Sequence, residues 1–294
     1  MAKHLAGIIP LANFKENFKL PYDSFMLPFQ EDFTLIQKSV FECAMAGCST
    51  IWIVANDDLA PIVKKHIGEW VYDPVYFWDN YVDNRIVQRR VHIPIYYVPI
   101  LPKDRDRRDS YGWSALFGMH SAWWVSYRIS KWVVPKKYFV SFPHSAYNFW
   151  SLREHRKNLH NTAKNFFFTH EEKTVKDNLP IPFTMRGDDF IQCRRSINKL
   201  TTKGHYSLEE GETFHDLRKL PLEQRWSARH FDLATVFDKV EEQDCFREEL
   251  GWFYDIRDWE GYRSYLASEK VIGSPNWRLT KPHQLNRLCQ EEEK

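Results

Sequence analysis

At 294 residues and 35.3 kDa the chain is long enough to bury a sizeable core as one large domain or two small ones, and 43% hydrophobic with 27% charged residues exclude a disordered chain. A net charge of +2 excludes a global field that would draw it to nucleic acid or an anionic membrane, so any such contact would have to be local. No stretch approaches the roughly 18 apolar residues of a membrane span, and neither a membrane nor a nucleic-acid partner is expected.

The first apolar run, Leu5–Ala12, is short and lacks signal-peptide anatomy, which predicts a buried first strand. Phe33–Ala46 then places Ile36, Val40, Cys43 and Ala44 on one helical face, with Asp32 as the expected cap and Gly47 as the stop. Thr50–Ala55 is β-branched and aromatic, and Asn56-Asp57-Asp58 is expected to cap a helix carrying Leu59, Ile62, Val63 and Ile67. His92–Ile100 predicts a strand whose Pro94 and Pro99 demand an edge or a strand end. A loop over Pro102–Tyr111 leads to Gly112, after which Leu116, Met119, Trp123 and Tyr127 recur at helical spacing, and Lys137–Phe142 follows as a strand.

The second half is less regular. Strands are expected at Phe166–His170, Ile181–Met185 and Trp252–Ile256, helices at Asp188–Asn198 and Phe231–Glu241, a polar loop over Lys199–Glu212, and a last helix capped by Asp258. Alternating strands and helices joined by right-handed crossovers predict an α/β fold with a mixed, mainly parallel sheet sandwiched by helices, spanning residues 1–270, with residues 271–294 as a tail. Ligands of such sheets sit at the carboxyl ends of the strands. The cysteines Cys43, Cys48, Cys193, Cys245 and Cys289 are scattered without a CxxC pair, so a zinc knuckle and a disulfide framework are not indicated and a reducing, cytoplasmic compartment is expected.

The order of several segments resembles the sugar-nucleotide pyrophosphorylases of the nucleotidyltransferase family, whose fold is similar to the glycosyltransferase-A domain. The segments are Ile8–Ala12, Ser24–Phe29 (SFMLPF), Thr34–Val54, Gly112–Ala122 (GWSALFGMHSA), Phe139–Tyr147 (FVSFPHSAY) and Trp252–Tyr262 (WFYDIRDWEGY). The resemblance implies a nucleotide-diphospho-sugar transferase-like fold and attack of a sugar 1-phosphate on a nucleoside triphosphate, assisted by magnesium or manganese. It places the nucleotide against Leu11, Ala12 and Asn13 and against the helix start at Gly112 and Ser114. It also places a metal aspartate at Asp255.

The residues at several of those positions depart from the family. Asn13–Lys19 contains no glycine to let backbone amides cradle a triphosphate, which leaves Lys15 and Lys19 as point charges for phosphate. Phe25 stands where the family has an activating lysine. His144 occupies the position of the first metal aspartate, where a histidine suits zinc or manganese better than magnesium. A working site would be rebuilt from Lys15, Lys19, Arg105, Arg107, His144 and Asp255. The expected function is nucleotide or sugar-nucleotide binding with weak or absent nucleotidyl transfer, a candidate pseudoenzyme. Two alternatives stay open. One is a non-catalytic binding or assembly protein with a protein partner at tryptophans such as Trp70, Trp78 and Trp150. The other is a glycosyltransferase, although no Asp-x-Asp follows the middle strand.

Overall fold

Burial on both faces is what turns the uninterrupted apolar runs into strands. The computed structural model describes residues 4–11, 18–75, 92–108 (backbone alone for 106–108), 110–200 and 231–268, together with positions 209–211, 213, 218, 221 and 270. Strand β1 (Leu5–Pro10) is buried at every residue. The short hairpin β2 (Pro28–Gln30) and β3 (Phe33–Thr34) feeds helix α1 (Leu35–Met45). Strand β4 (Thr50–Asn56), helix α2 (Ala60–Ile67), β5 (Trp70–Tyr72) and β6 (His92–Ile100) follow. Next come α3 (Pro102–Arg108), the long α4 (Tyr111–Ile129), β7 (Lys137–Val140) and β8 (Ser145–Tyr147). Two single turns, α5 (Ser151–Glu154) and α6 (Arg156–Leu159), precede β9 (Asn165–Thr169), β10 (Phe183–Arg186) and α7 (Gly187–Leu200). The chain continues through α8 (Leu233–Phe237), β11 (Cys245–Glu249), β12 (Phe253–Asp255) and α9 (Trp259–Ala267).

Eight strands make one sheet in the order β11-β9-β10-β7-β1-β4-β6-β5. β7, β1, β4 and β6 run parallel, β11 runs parallel to β9, and β10 and β5 are the antiparallel members. The expected mixed, mainly parallel sheet is therefore observed. The alternation of β1 divides the core: Leu5 and Ile9 pack with α1 and α9, whereas Ala6 and Ile8 pack beneath α4, α7 and α8. Gly118 brings α4 onto the sheet, because a Cβ there would meet Val54 at 2.7 Å and Ile8 at 2.9 Å. The two strand prolines are accommodated as expected: β5 covers β6 only from His92 to Pro94, leaving the half with Pro99 at the edge.

Three local expectations are corrected. Thr34, not Asp32, caps α1, through a box in which the Thr34 amide donates to Gln37 at 2.8 Å. Asp32 instead takes a left-handed turn at φ 56°. The Asn56-Asp57-Asp58 run makes no side-chain cap to α2, because Asp57 and Asp58 turn to Arg105. The expected loop over Pro102–Tyr111 is mostly helix, α3, and Ser110 caps α4 by accepting from Trp113 N at 3.2 Å. Elsewhere the strands and helices shift by a residue or two at their ends. The Phe231–Glu241 helix contracts to α8, and most of the Lys199–Glu212 loop and all of residues 271–294 lie outside the described residues.

Candidate functional site

The chain leaves the carboxyl end of β7 through Ser141–His144 and returns as β8, which pairs antiparallel with β12. Ser145 stands opposite Asp255, and the Ile256 amide donates to the His144 carbonyl at 3.1 Å. Tertiary structure thus brings together His144 and Asp255, more than a hundred residues apart in sequence, beside the start of α4. Their side chains go separate ways.

His144 turns inward and is 1% exposed. Its Nε2 shares a hydrogen bond with Ser24 Oγ at 2.6 Å, its Nδ1 lies 3.3 Å from the Tyr111 hydroxyl, and its own amide donates to that hydroxyl at 3.4 Å. Burial pushes its pKa down to about 3, helped by the Lys38 and Arg257 charges. The ring is therefore a neutral core histidine with both nitrogens engaged, and it has no open lone pair to offer a cation. Tyr111 is held protonated by the same burial.

Asp255 turns outward, with 29% of its side chain exposed, but the Arg257 guanidinium grips it. Arg257 Nε donates to both carboxylate oxygens at 2.9 Å, Nη2 donates to Oδ2 at 2.5 Å, and Nη2 also reaches the Asn178 carbonyl at 2.8 Å. This bidentate pair engages both carboxylate oxygens and offsets the charge that would attract a cation. Among the described residues no group of three or more His, Cys, Asp or Glu could hold a metal ion.

Beneath the strand end lies an ion pair that sequence reading missed. Lys38 and Glu42, one turn apart on α1, are both fully buried with Nζ 3.0 Å from Oε1. Lys38 also donates to the Ser145 carbonyl at 2.5 Å and to Phe142 O at 3.3 Å, while Ser141 Oγ donates to Glu42 Oε2 at 2.5 Å. Desolvation lowers the lysine pKa and raises the glutamate pKa, and their mutual attraction opposes both shifts. The pair ties α1 to the β7–β8 crossing and so fixes where His144 stands. A Lys at i and a Glu at i+4 in a helix with no other charged residue was the available signal.

The other expected residues scatter. Leu11 is buried just past the end of β1, its amide donating to Val54 O at 2.7 Å. Gly112 is buried at the start of α4, and the close approach it permits is to α8: a Cβ there would meet Val236 at 2.9 Å. Ser114 is also fully buried. Lys19 is exposed at φ 52°, next to Phe18, whose carbonyl accepts from Trp259 Nε1 at 3.1 Å. Phe25 is a core residue. Arg105 is committed to Asp57 at 2.6 Å and Asp58 at 3.0 Å. Ala12, Asn13, Lys15, Trp78 and the Arg107 side chain lie outside the described residues. Trp70 and Trp150 are half-buried, the first against Tyr72 and His92, the second against Phe41 and Phe149.

A mainly parallel sheet with an antiparallel β10 beside its middle strand, and a small ladder closing over the carboxyl edge, defines a nucleotide-diphospho-sugar transferase-like α/β fold. Solved structures agree. The chain is similar to a protein assigned as glucose-1-phosphate thymidylyltransferase from Bacillus anthracis, in complex with sucrose, at 9% identity and TM-score 0.54 over 92% of this chain and 98% of that one. It is similar to UDP-glucose pyrophosphorylase complexed with UDP-glucose, at 14% identity and TM-score 0.51 over 90% and 97%. It is also similar to Rv0371c from Mycobacterium tuberculosis H37Rv, at 12% identity and TM-score 0.50 over 91% and 100%. At these identities the likeness is one of fold. No family model and no curated protein matches the sequence.

Proposed function

We propose that this protein binds a nucleotide or sugar nucleotide at the carboxyl edge of its sheet and transfers a nucleotidyl group weakly or not at all. The observation that carries the second half is that both expected metal-site groups are committed to protein partners, His144 inward and Asp255 at the surface. His144 is buried and neutral, and Asp255 is gripped by Arg257. One ion-paired carboxylate does not fit magnesium, which wants open, hard oxygen donors, and an imidazole with both nitrogens engaged does not fit manganese. Losing one preorganised charge-stabilising contact typically costs about 10²–10³ in rate, so losing several leaves little turnover. Support for the binding half is the likeness of fold, since UDP-glucose pyrophosphorylase has been solved with UDP-glucose in place. Fold alone does not fix function, which is why the binding half needs its own test.

Two measurements on the full chain separate the halves. Calorimetry with UDP-glucose and with nucleoside triphosphates should register binding. A pyrophosphate-release assay with a sugar 1-phosphate, a nucleoside triphosphate and either metal should register none above background. Robust pyrophosphate release would establish an active transferase. Absence of heat with every nucleotide would remove the ligand and leave the non-catalytic assembly reading.

A further inference from the structure

Helix α4 begins at the carboxyl edge beside His144, and its far end carries a surface that the candidate site does not use. The 3₁₀ turn Lys131–Val133 that follows it lies at the amino edge of the sheet, where the His4 ring bonds both the Val133 carbonyl and the Thr50 hydroxyl. Large apolar side chains crowd this end. Trp132 is 82% and Ile129 73% exposed, and Trp124, Val125, Tyr127 and Val133 are open as well. Side chains this exposed stand off the surface rather than line a groove, and large apolar residues gathered within ten positions of one helix end mark an interaction site.

The charges carried by this end of α4 and the turn after it are of one sign. The Arg128 guanidinium lies 4.4 Å from the Trp124 ring centre and the Lys131 ammonium 5.9 Å from that of Tyr127, so these cations rest on rings. Lys136 is exposed nearby, and no Asp or Glu occurs in the sequence between residues 109 and 154. Trp123 and Tyr127 stack at 5.4 Å, which stiffens the aromatic face. Projecting Ile and Trp, tyrosine rings, and lysine and arginine from a segment that has no carboxylate of its own are the composition that lies in a bilayer interface: rings at headgroup depth, aliphatic tips just below, and cations on lipid phosphates. A protein partner would have to supply a deep pocket for Trp132 and its own acidic rim. Among the described residues no helix is long and apolar enough to cross a membrane, so the contact is peripheral.

We infer that the α4 C-terminal end, centred on Ile129 and Trp132, docks this protein on an anionic bilayer surface. The carboxyl edge with His144 and Asp255 lies at the opposite end of α4 and stays open to solvent in that orientation. The weak net charge is no obstacle, because the attraction is local and acts within a Debye length.

The test is co-sedimentation of the full chain with vesicles of phosphatidylcholine alone and with phosphatidylserine added. The expected result is sedimentation only with the serine lipid, weakening as salt rises. Arg128→Gln with Lys131→Gln should lower the partition coefficient about fivefold per charge removed. Ile129→Ser with Trp132→Ser should lower it by about tenfold or more. Both double variants should melt with the parent, since the altered side chains are exposed; should the serine pair melt early, the glutamine pair decides. Absence of sedimentation with either vesicle, equal binding to both, or unchanged binding of the variants would overturn the inference. A dimer in light scattering that Trp132→Ser abolishes would also overturn it and assign the face to a second copy.

Discussion

Replacing His144 with Gln should make the protein less sensitive to acid. The imidazole has a folded-state pKa pushed down to about 3, against 6.5 in the unfolded chain. The unfolded state therefore takes up the proton first. The stability that rests on a neutral His144 is complete above the unfolded value and is lost as pH falls from there toward the folded one. Each pH unit inside that window costs about 1.4 kcal/mol, so lowering pH from 7 to 5 should remove about 2 kcal/mol from the parent. Glutamine preserves a partner for Ser24 Oγ and cannot titrate. At neutral pH His144→Gln should cost about 1–2 kcal/mol for the lost Tyr111 contact and imperfect packing. That deficit should close by about 2 kcal/mol at pH 5, leaving the variant level with the parent or above it. His4 and His160, whose pKa values burial also lowers, are common to both proteins and cancel in the difference. Urea unfolding followed by far-ultraviolet circular dichroism at the two pH values, with equal slopes in both proteins, reads this directly. Parallel pH dependence of parent and variant would refute the reasoning. It would mean that His144 charges freely in the folded state and is open to act as a ligand or an acid.

Two further outcomes follow from the same region. Lys38→Ala should destabilise by about 3–5 kcal/mol, because it leaves Glu42 buried without its cation, whereas Lys38→Met combined with Glu42→Leu should recover most of the loss in urea titrations. Gly112→Ala should cost about 1–3 kcal/mol by driving a methyl into Val236. Adding Val236→Ala should restore stability, and nucleotide calorimetry on that double variant tests whether Gly112 also faces a ligand.

The sheet was legible because its signal is local. Uninterrupted apolar runs such as Leu5–Pro10 and Thr50–Asn56, alternating with helical spacing in α1 and α4, report burial on two faces without reference to anything distant. Segment order carried the fold class for the same reason. Local chemistry misled where a competing partner came from elsewhere. Asp57 and Asp58 look like helix caps until Arg105 folds back onto them, and the close approach that Gly112 permits is to Val236 of α8.

By itself the sequence determined the central strands and the long helices, the class of the sheet, and the absence of a large net field. Tertiary structure alone decided what the charged and polar groups do. His144 became a neutral core residue because Ser24, more than a hundred positions away, and Tyr111 close around it. Asp255 became ion-paired to Arg257, and α4 ended in an exposed aromatic and basic tip rather than in the core. Backbone propensity and hydrophobic period act over a few residues, whereas desolvation and charge pairing depend on every group within several ångströms, whichever part of the chain supplies it.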